Sequence, residues 1–196
     1  MQQKKLIQTL NKILSKKNYH IFFLILSSFS FTFYYGYVGV FPIDSFLIYD
    51  AGYKILNGYH PFKDYWSITG PILDYIQLLF FKIFGVNWFS YVMHAAVINF
   101  LLTIVFFYFF TQLNIKPIYS FLYSLSAAIL AYPSVGTPFM DHHAAIFSTI
   151  SGIFLFLAFL KNKTVCWFLV PIFLAASFLS KQIPSAYLLI LFFIKI

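Results

Sequence analysis

The sequence predicts an all-α integral membrane protein: a multi-span helical bundle with a large first external loop that contains two amphipathic surface helices. Apolar runs of about 17–25 residues, each long enough to cross a bilayer, recur along the 196-residue chain. Only 9% of the residues are charged and the mean hydropathy is +0.83, which excludes an ordinary soluble domain with about 25% charged residues. Four of the five acidic residues lie in one stretch, Phe41 to Tyr75.

Six apolar segments are predicted to span the membrane. They cover residues 21–40, 88–110, 118–132, 143–160, 165–179 and 185–196. We expect residues 1–196 to form a single membrane domain. Because the sixth segment is cut short at Ile196, we also expect this domain to be the N-terminal portion of a longer one.

The distribution of lysine predicts the orientation. Residues 1–20 form a basic lead whose helically spaced apolar residues suggest an interfacial helix, with lysines at Lys4, Lys5, Lys12, Lys16 and Lys17. Alternating the spans from a cytoplasmic N-terminus places nine of the 13 lysines inside and four outside, together with all five aspartates. The net charge of +8 is therefore explained by lysines at the ends of membrane spans rather than by nucleic-acid binding. We expect the protein to lie in a bacterial plasma membrane, with its N-terminus in the cytoplasm. The single cysteine, Cys166, excludes an intramolecular disulfide.

Residues 41–87 are predicted to lie outside the membrane, because four aspartates in one span would cost on the order of 10 kcal/mol. A first surface helix is predicted from Asp44 to Asn57, ending at Gly58. Its apolar face is predicted to carry Phe46, Tyr49, Tyr53 and Leu56. After an aromatic turn, Pro71 opens a second surface helix over residues 72–84.

A family resemblance rests on the order of motifs after the first span. The chain reads DSFLIYDAGYKILNGYHPFKDY, and GPILDY and KIFG follow. This order resembles the GT-C glycosyltransferases, in particular the polyprenyl-phosphate-sugar enzymes related to protein O-mannosyltransferases and the RgtA/B/C/D-like transferases. The resemblance covers about Tyr37 to Lys181, and the turn GYHPFKD is its most distinctive part.

The resemblance implies an enzyme that transfers a sugar at the extracytoplasmic face. The implied partners are a polyprenyl-phosphate-linked sugar donor, a lipid, glycan or protein acceptor, and membrane lipids, with no nucleic acid. By position, Asp44 matches the catalytic base of the family, and Asp141 in FMDHHAA matches its second acidic motif. Lys181 in SKQ matches a basic residue that contacts the lipid phosphate.

Each of these residues has an alternative, structural interpretation. Asp44 could be the N-cap of the first surface helix, because Asp is among the best capping residues. Lys181 could instead pack its aliphatic stem against apolar surface and extend its charged end to the membrane interface. Asp64 could form the turn rather than bind sugar or acceptor, and His60 and Lys63 are weaker candidates for substrate binding in the same turn.

Four further polar residues have predicted roles. Asp50 and Lys54 are spaced for a helical ion pair, and Asp74 lies where a helix dipole favours an acidic residue. His142 is a candidate for donor binding beside Asp141. The two side chains could also ligate a divalent cation. The alternative is an Asp N-cap on the fourth span followed by interfacial histidines.

Two other classes of function remain open at the level of sequence. One is a transporter or flippase for a lipid-linked or small polar substrate, and the other is an inactive membrane fragment. A transporter is expected to carry internal repeats and charged groups at mid-membrane. The sequence shows no repeat, and its acidic residues cluster on one side, which favours the enzyme.

Overall fold

The computed structural model describes residues 16–40, 44–68, 70–132 and 136–194. They form the helices α1 (Lys16–Val38), α2 (Leu47–Leu56), α3 (Ile72–Phe84), α4 (Trp88–Gln112), α5 (Pro117–Leu130), α6 (Met140–Lys161), α7 (Thr164–Ser180) and α8 (Gln182–Ile194). A 3-10 turn, Asp44–Phe46, precedes α2. None of the described residues forms a β-strand, so the all-helical class is confirmed. The basic lead over residues 1–15 and its interfacial helix lie outside the described residues.

Within the described residues, three helices are long and apolar enough to cross a membrane, which confirms a helical membrane protein. They are residues 19–38 of α1, all of α4 and all of α6. The helices at the third and fifth predicted positions, α5 and α7, are apolar but shorter, with 14 and 17 residues. At 1.5 Å per residue they reach about 21 and 25 Å, less than the hydrocarbon core of about 30 Å.

The bundle core lies between α4 and α6, with α1 and α5 against α4 and with α7 along α6. Small side chains allow the helices to approach closely, because Ala95, Ala144 and Ala158 are fully buried. Larger residues such as Leu102 and Ile150 fill the space between them.

Asn99 holds three helices in register inside this apolar bundle. Its Nδ2 atom donates to Thr32 Oγ1 of α1 and to the carbonyl of Ala128 in α5, both at 2.9 Å. A third acceptor, the carbonyl of Ser28, lies at 3.3 Å. Interhelical hydrogen bonds of this kind contribute about 0.6–2 kcal/mol in a membrane.

One end of the bundle carries the loop helices and is called the loop end. The indole Nε1 of Trp88 donates to the carbonyl of Gly36 at 2.9 Å, which joins the start of α4 to the end of α1. The backbone N–H of Gly70 donates to the carbonyl of Ser180 at 3.2 Å, which joins the loop to the end of α7. The loop end also carries Asp44, Asp50, Asp64, Asp74, Asp141, Lys54, Lys63, Lys82 and Lys181.

The opposite end carries lysine without aspartate among the described residues. Lys163, between α6 and α7, donates from Nζ to Gln112 Oε1 at 2.9 Å and to the Tyr108 hydroxyl at 3.2 Å. Lys116 and Lys161 lie at the same end. The two ends of the bundle therefore differ in charge as the positive-inside pattern requires.

Both loop helices form where the sequence predicts them. Helix α2 ends at Leu56, and Gly58 follows with a φ of 88°, a left-handed conformation that glycine adopts without strain. Helix α3 covers residues 72–84 as predicted and begins after Pro71. The 3-10 turn replaces the first turn predicted for α2.

The predicted apolar face of α2 is not the face that packs against α3. The buried residues are Ile48, Ala51, Gly52 and Ile55, whereas Phe46, Tyr53 and Leu56 are exposed. The physical reason is close helix contact: a Cβ on Gly52 would lie 2.8 Å from Cγ of Gln77 in α3. The small residues therefore face α3. Tyr49 is the exception among the predicted residues, since its ring lies 4.9 Å from Phe81 and 5.3 Å from Tyr91.

Gly70 permits the contact between the loop and α7. A Cβ at this position would lie 1.8 Å from the backbone oxygen of Leu179, a clash that a side-chain rotation cannot relieve. We expect Gly70→Ala to lower the free energy of unfolding by about 1–3 kcal/mol, as overpacking does elsewhere, measured by thermal unfolding in detergent.

Gly152 in α6 provides a matched control for this substitution. The nearest atom to a Cβ there is Leu188 Cδ1 at 3.8 Å, an ordinary contact. Gly152→Ala should raise stability by about 0.5–1 kcal/mol, because alanine is the better residue in a helix interior. A wild-type unfolding midpoint for Gly70→Ala would contradict the close approach.

Candidate functional site

The polar residues of the loop end form two clusters. The first, called the turn pocket, is an open pocket of about 90 Å³ between α2, α3 and the turn of residues 59–68. Its polar and aromatic lining consists of Asp50, Lys54, Tyr65, Trp66, Ser67 and Asp74. The second is the ion pair between Asp141 and Lys181.

The turn of residues 59–68 is shaped by Asp64. Its Oδ2 atom accepts from the backbone N–H of His60 at 2.8 Å, and its own N–H donates to the His60 carbonyl at 2.9 Å. Phe62 has a φ of 65°, and its N–H donates to the Tyr65 carbonyl at 2.8 Å. Asp64 therefore closes the turn, while His60 and Lys63 are exposed on it. Substrate binding by these three residues stays a prediction.

Asp74 is the buried acid of the turn pocket. Its side chain is only 1% exposed, and the Tyr65 hydroxyl donates to its Oδ2 atom at 3.2 Å. Burial raises the pKa of Asp74 from 3.8 to about 7, and the hydrogen bond from Tyr65 opposes part of that increase. Burial and the nearby Asp74 carboxyl also raise the pKa of the Tyr65 phenol. A carboxyl that titrates near neutrality beside a pocket can accept or donate a proton.

Sequence reasoning assigned Asp74 to the helix dipole and missed its burial. Asp74 does lie in the first turn of α3, so that electrostatic role is retained. A signal was present in the spacing, because Asp74, Gln77 and Phe81 follow i, i+3, i+7 on one face of α3, and all three are buried. Two polar residues on such a face indicate a buried polar site.

The rim of the turn pocket carries the predicted helical ion pair. Lys54 Nζ lies 2.7 Å from Asp50 Oδ2, which confirms the pair. The same ammonium group lies 5.1 Å from the centre of the Tyr65 ring. Lys54, in the last turn of α2, therefore links this helix to the aromatic turn.

The Asp141–Lys181 pair joins residues 40 positions apart. Asp141 lies in the first turn of α6, and Lys181 is the single extended residue between α7 and α8. Lys181 Nζ donates to Asp141 Oδ1, and the two side chains are 33% and 46% exposed. The structure therefore brings together two residues predicted to bind the donor, with the lysine partly accessible.

His142 and His143 point in different directions from α6. The His142 ring packs against Tyr132 and Phe139, with centroids 5.4 and 5.3 Å away, and its buried Nδ1 atom has no hydrogen-bond partner among the described residues. His143 is fully buried, and its Nδ1 atom lies 2.9 Å from the Phe139 carbonyl. In the described part of the chain, no three His, Cys, Asp or Glu side chains come together as a cation site. A cation at Asp141 and His142 stays a prediction.

Buried polar side chains connect α3 to α6 through α4. His94 Nδ1 lies 3.0 Å from Gln77 Oε1, and the His94 ring stacks on Phe80 and lies 4.9 Å from the His143 ring. The Tyr132 hydroxyl lies 3.3 Å from His143 Nδ1. This network lies between the helix that carries Asp74 and the helix that carries Asp141. Neither Gln77 nor Tyr132 was identified from the sequence as part of this network.

Asp44 lies outside both clusters. It is half-buried in the 3-10 turn, and it lines neither the turn pocket nor the ion pair. The cap position of α2 is Phe46, so the alternative interpretation of Asp44 as the N-cap of this α-helix is wrong. The Phe46 ring lies 6.0 Å from Trp88, which places the turn beside the start of α4.

Comparison with known proteins adds no assignment. No protein-family model, curated protein or solved structure matches the chain. The family resemblance therefore stays a prediction, and function has to be argued from the geometry of the loop end.

Proposed function

We propose that this chain is a membrane glycosyltransferase of the GT-C kind, moving a sugar from a polyprenyl-phosphate carrier to an acceptor hydroxyl. The observation that carries the proposal is the position of Asp44, Asp141 and Lys181 at one end of an apolar helical bundle. A polyprenyl chain would lie against the apolar helices, and its phosphate-linked sugar would then meet carboxylates and a lysine at the interface.

The proposed orientation places the loop end outside the cytoplasm. The opposite end carries Lys116, Lys161 and Lys163, and lysine is enriched in cytoplasmic connections. In a bacterial plasma membrane the active site would then face the extracytoplasmic side. The loop helices α2 and α3 would lie at that membrane surface.

The proposed chemistry is displacement at the anomeric carbon. Asp44 accepts the proton of the acceptor hydroxyl, whose oxygen forms the new bond to the anomeric carbon. The bond from that carbon to the phosphate oxygen breaks, and the electron pair leaves with polyprenyl phosphate. Lys181, released from Asp141, offsets the charge on the leaving phosphate. A divalent cation held by Asp141 and His142 would add positive charge at the same place.

The proposal is tested by a transfer assay with the protein reconstituted in lipid nanodiscs. The wild type should move a labelled hexose from a polyprenyl phosphate to an acceptor hydroxyl. Lys181→Gln should lower kcat/KM for the donor about 10–100-fold, because a hydrogen bond to a charged group contributes about 1.5–3 kcal/mol.

The matched control is Lys163→Gln at the opposite end, which should retain the wild-type kcat/KM. No transfer by the wild type, across a panel of hexose donors, would contradict the proposed function. Wild-type kinetics in Lys181→Gln would instead remove only Lys181 from donor binding.

A transporter or flippase is the second candidate function. The observation in its favour is the buried His94 and His143 inside the spanning helices α4 and α6, since ionisable residues at membrane depth often mark a pathway. Vesicles separate the two functions, because a flippase would move the lipid-linked sugar across the bilayer without cleaving it. If the vesicles show neither sugar transfer nor movement of the lipid-linked sugar, the result would support an inactive membrane fragment.

A further inference from the structure

Among the described residues, the carboxyl group of Asp74 has fewer hydrogen-bond partners than an ionised, buried carboxylate requires. An ionised carboxylate can accept about four hydrogen bonds. Within the described residues, the side chain of Asp74 has one hydrogen-bond partner, the Tyr65 hydroxyl, although it is 1% exposed. Asp74 also lines the turn pocket. The remaining acceptor capacity is therefore available to a polar ligand in the pocket.

The charges around the pocket favour a neutral ligand. Asp50 and Lys54 neutralise each other at 2.7 Å on the rim, so neither offers a free charge. A phosphate would approach the Asp74 carboxyl and would have to compete with Asp50 for the ammonium group of Lys54, which disfavours an anion. A metal ion would find no group of three acidic, His or Cys ligands among the described residues.

Aromatic surface lies next to these polar groups. Trp66 lines the pocket and is 82% exposed. The preceding residue, Tyr65, also lines the pocket, and its hydroxyl donates a hydrogen bond to Asp74. An exposed indole presents a large apolar face, while Tyr65 combines an apolar ring with a polar hydroxyl. A sugar ring has the complementary chemistry, with C–H groups on one face and hydroxyl groups around its edge.

We propose that the turn pocket binds one ring of a neutral carbohydrate, with Asp74 accepting a hydrogen bond from a ring hydroxyl and Trp66 covering the apolar face. The pocket volume of about 90 Å³ is well below the roughly 300–1,000 Å³ of pockets that enclose a whole ligand. The ring is therefore held by one edge and lies partly over Trp66. If the proposed transfer reaction is correct, the sugar bound in this pocket belongs to the acceptor, and the acceptor is therefore a glycan. Only this identification of the acceptor rests on the proposed function, whereas binding of a sugar to the pocket does not.

The test measures binding without a donor, so it can fail independently of transfer. The full chain in nanodiscs is titrated with glucose, galactose, mannose and N-acetylglucosamine, and binding is followed by saturation-transfer NMR. Because a small ligand gains little binding free energy per atom, a single hexose should bind with a dissociation constant on the order of millimolar.

Three variants locate the binding site. Asp74→Asn and Tyr65→Phe should each weaken binding of the preferred sugar at least about 5-fold, the effect of one lost net hydrogen bond. Trp66→Ala should abolish detectable binding, and because this side chain is exposed its loss should leave the fold intact. The matched control Tyr75→Phe removes a phenol hydroxyl from α3 outside the pocket lining and should bind as the wild type does.

Several outcomes would overturn the inference. They are no saturable binding of any of the four sugars, unchanged affinity in Trp66→Ala, or unchanged affinity in a folded Asp74→Asn. Competition by inorganic phosphate at the same site would also overturn it, because the ligand class would then be anionic. Thermal unfolding of each variant shows whether its fold is retained. If Asp74→Asn or Tyr65→Phe does not fold, the affinity of the exposed-site variant Trp66→Ala decides whether the sugar binds in the turn pocket.

Discussion

Replacing Asp44 with asparagine is expected to lower the rate of sugar transfer by about 10²–10⁴-fold, the usual contribution of a positioned general base. Asparagine has nearly the shape of aspartate but cannot take a proton from the acceptor hydroxyl. Asp44 is half-buried in a short 3-10 turn, so the substitution should leave the helices in place. The loss should therefore appear in kcat, with the donor KM little changed.

The measurement is initial-rate kinetics in nanodiscs, with thermal unfolding to establish that the variant is folded. Asp44→Glu should retain more of the rate than Asp44→Asn, because it keeps a carboxylate near the reacting hydroxyl. Unchanged turnover in Asp44→Asn would remove Asp44 from the mechanism. If Asp74→Asn abolishes transfer and Asp44→Asn does not, the base is Asp74, whose pKa of about 7 also suits proton transfer.

Replacing Asp74 with asparagine is expected to remove most of the pH dependence of stability at the loop end. The pKa of Asp74 is raised from 3.8 to about 7 in the folded protein, so folding favours the protonated carboxyl. This stabilising contribution is fully present below about pH 4, falls as the pH rises to about 7, and is absent above that. A difference of this size corresponds to on the order of 4 kcal/mol across the window.

The groups that face Asp74 do not reverse this direction. Tyr65 donates a hydrogen bond to the carboxyl, and its own raised pKa keeps it protonated across the window. Asp50 and Lys54 neutralise each other on the rim. Burial therefore dominates, and ionisation of Asp74 without a ligand destabilises the fold.

The measurement is the unfolding midpoint in detergent between pH 4 and pH 8. The unfolding midpoint of Asp74→Asn, which resembles the protonated acid, should rise relative to that of the wild type as the pH increases and should exceed it at pH 8. Parallel curves for the two proteins would contradict a titrating buried Asp74. A neutral sugar in the turn pocket should also protect the wild type more than Trp66→Ala.

The elements that sequence predicts well are those set by neighbouring residues. Helix α3 begins after Pro71 and ends before Gly85, because proline is favoured in a first turn and glycine ends helices. The ion pair between Asp50 and Lys54 forms because residues four apart share a helix face. Each of these outcomes depends on spacing along one helix.

Helix α2 shows what spacing along one helix leaves open. Its apolar residues Phe46, Tyr53 and Leu56 share one face of the helix, as predicted, but they are exposed and do not pack against α3. The face that packs against α3 contains Ala51 and Gly52, whose small size allows close contact. A pattern weighted by hydrophobicity cannot detect a face chosen for its shape.

The sequence by itself determined the class of this protein and the unequal charge of its two ends. These properties follow from the cost of placing each residue in a membrane, which is nearly additive along the chain. Only the tertiary structure decided that Lys181 meets Asp141 and that Tyr65 closes over a buried Asp74. Both contacts depend on how helices distant in sequence pack, and packing sets the burial that moves the pKa of Asp74.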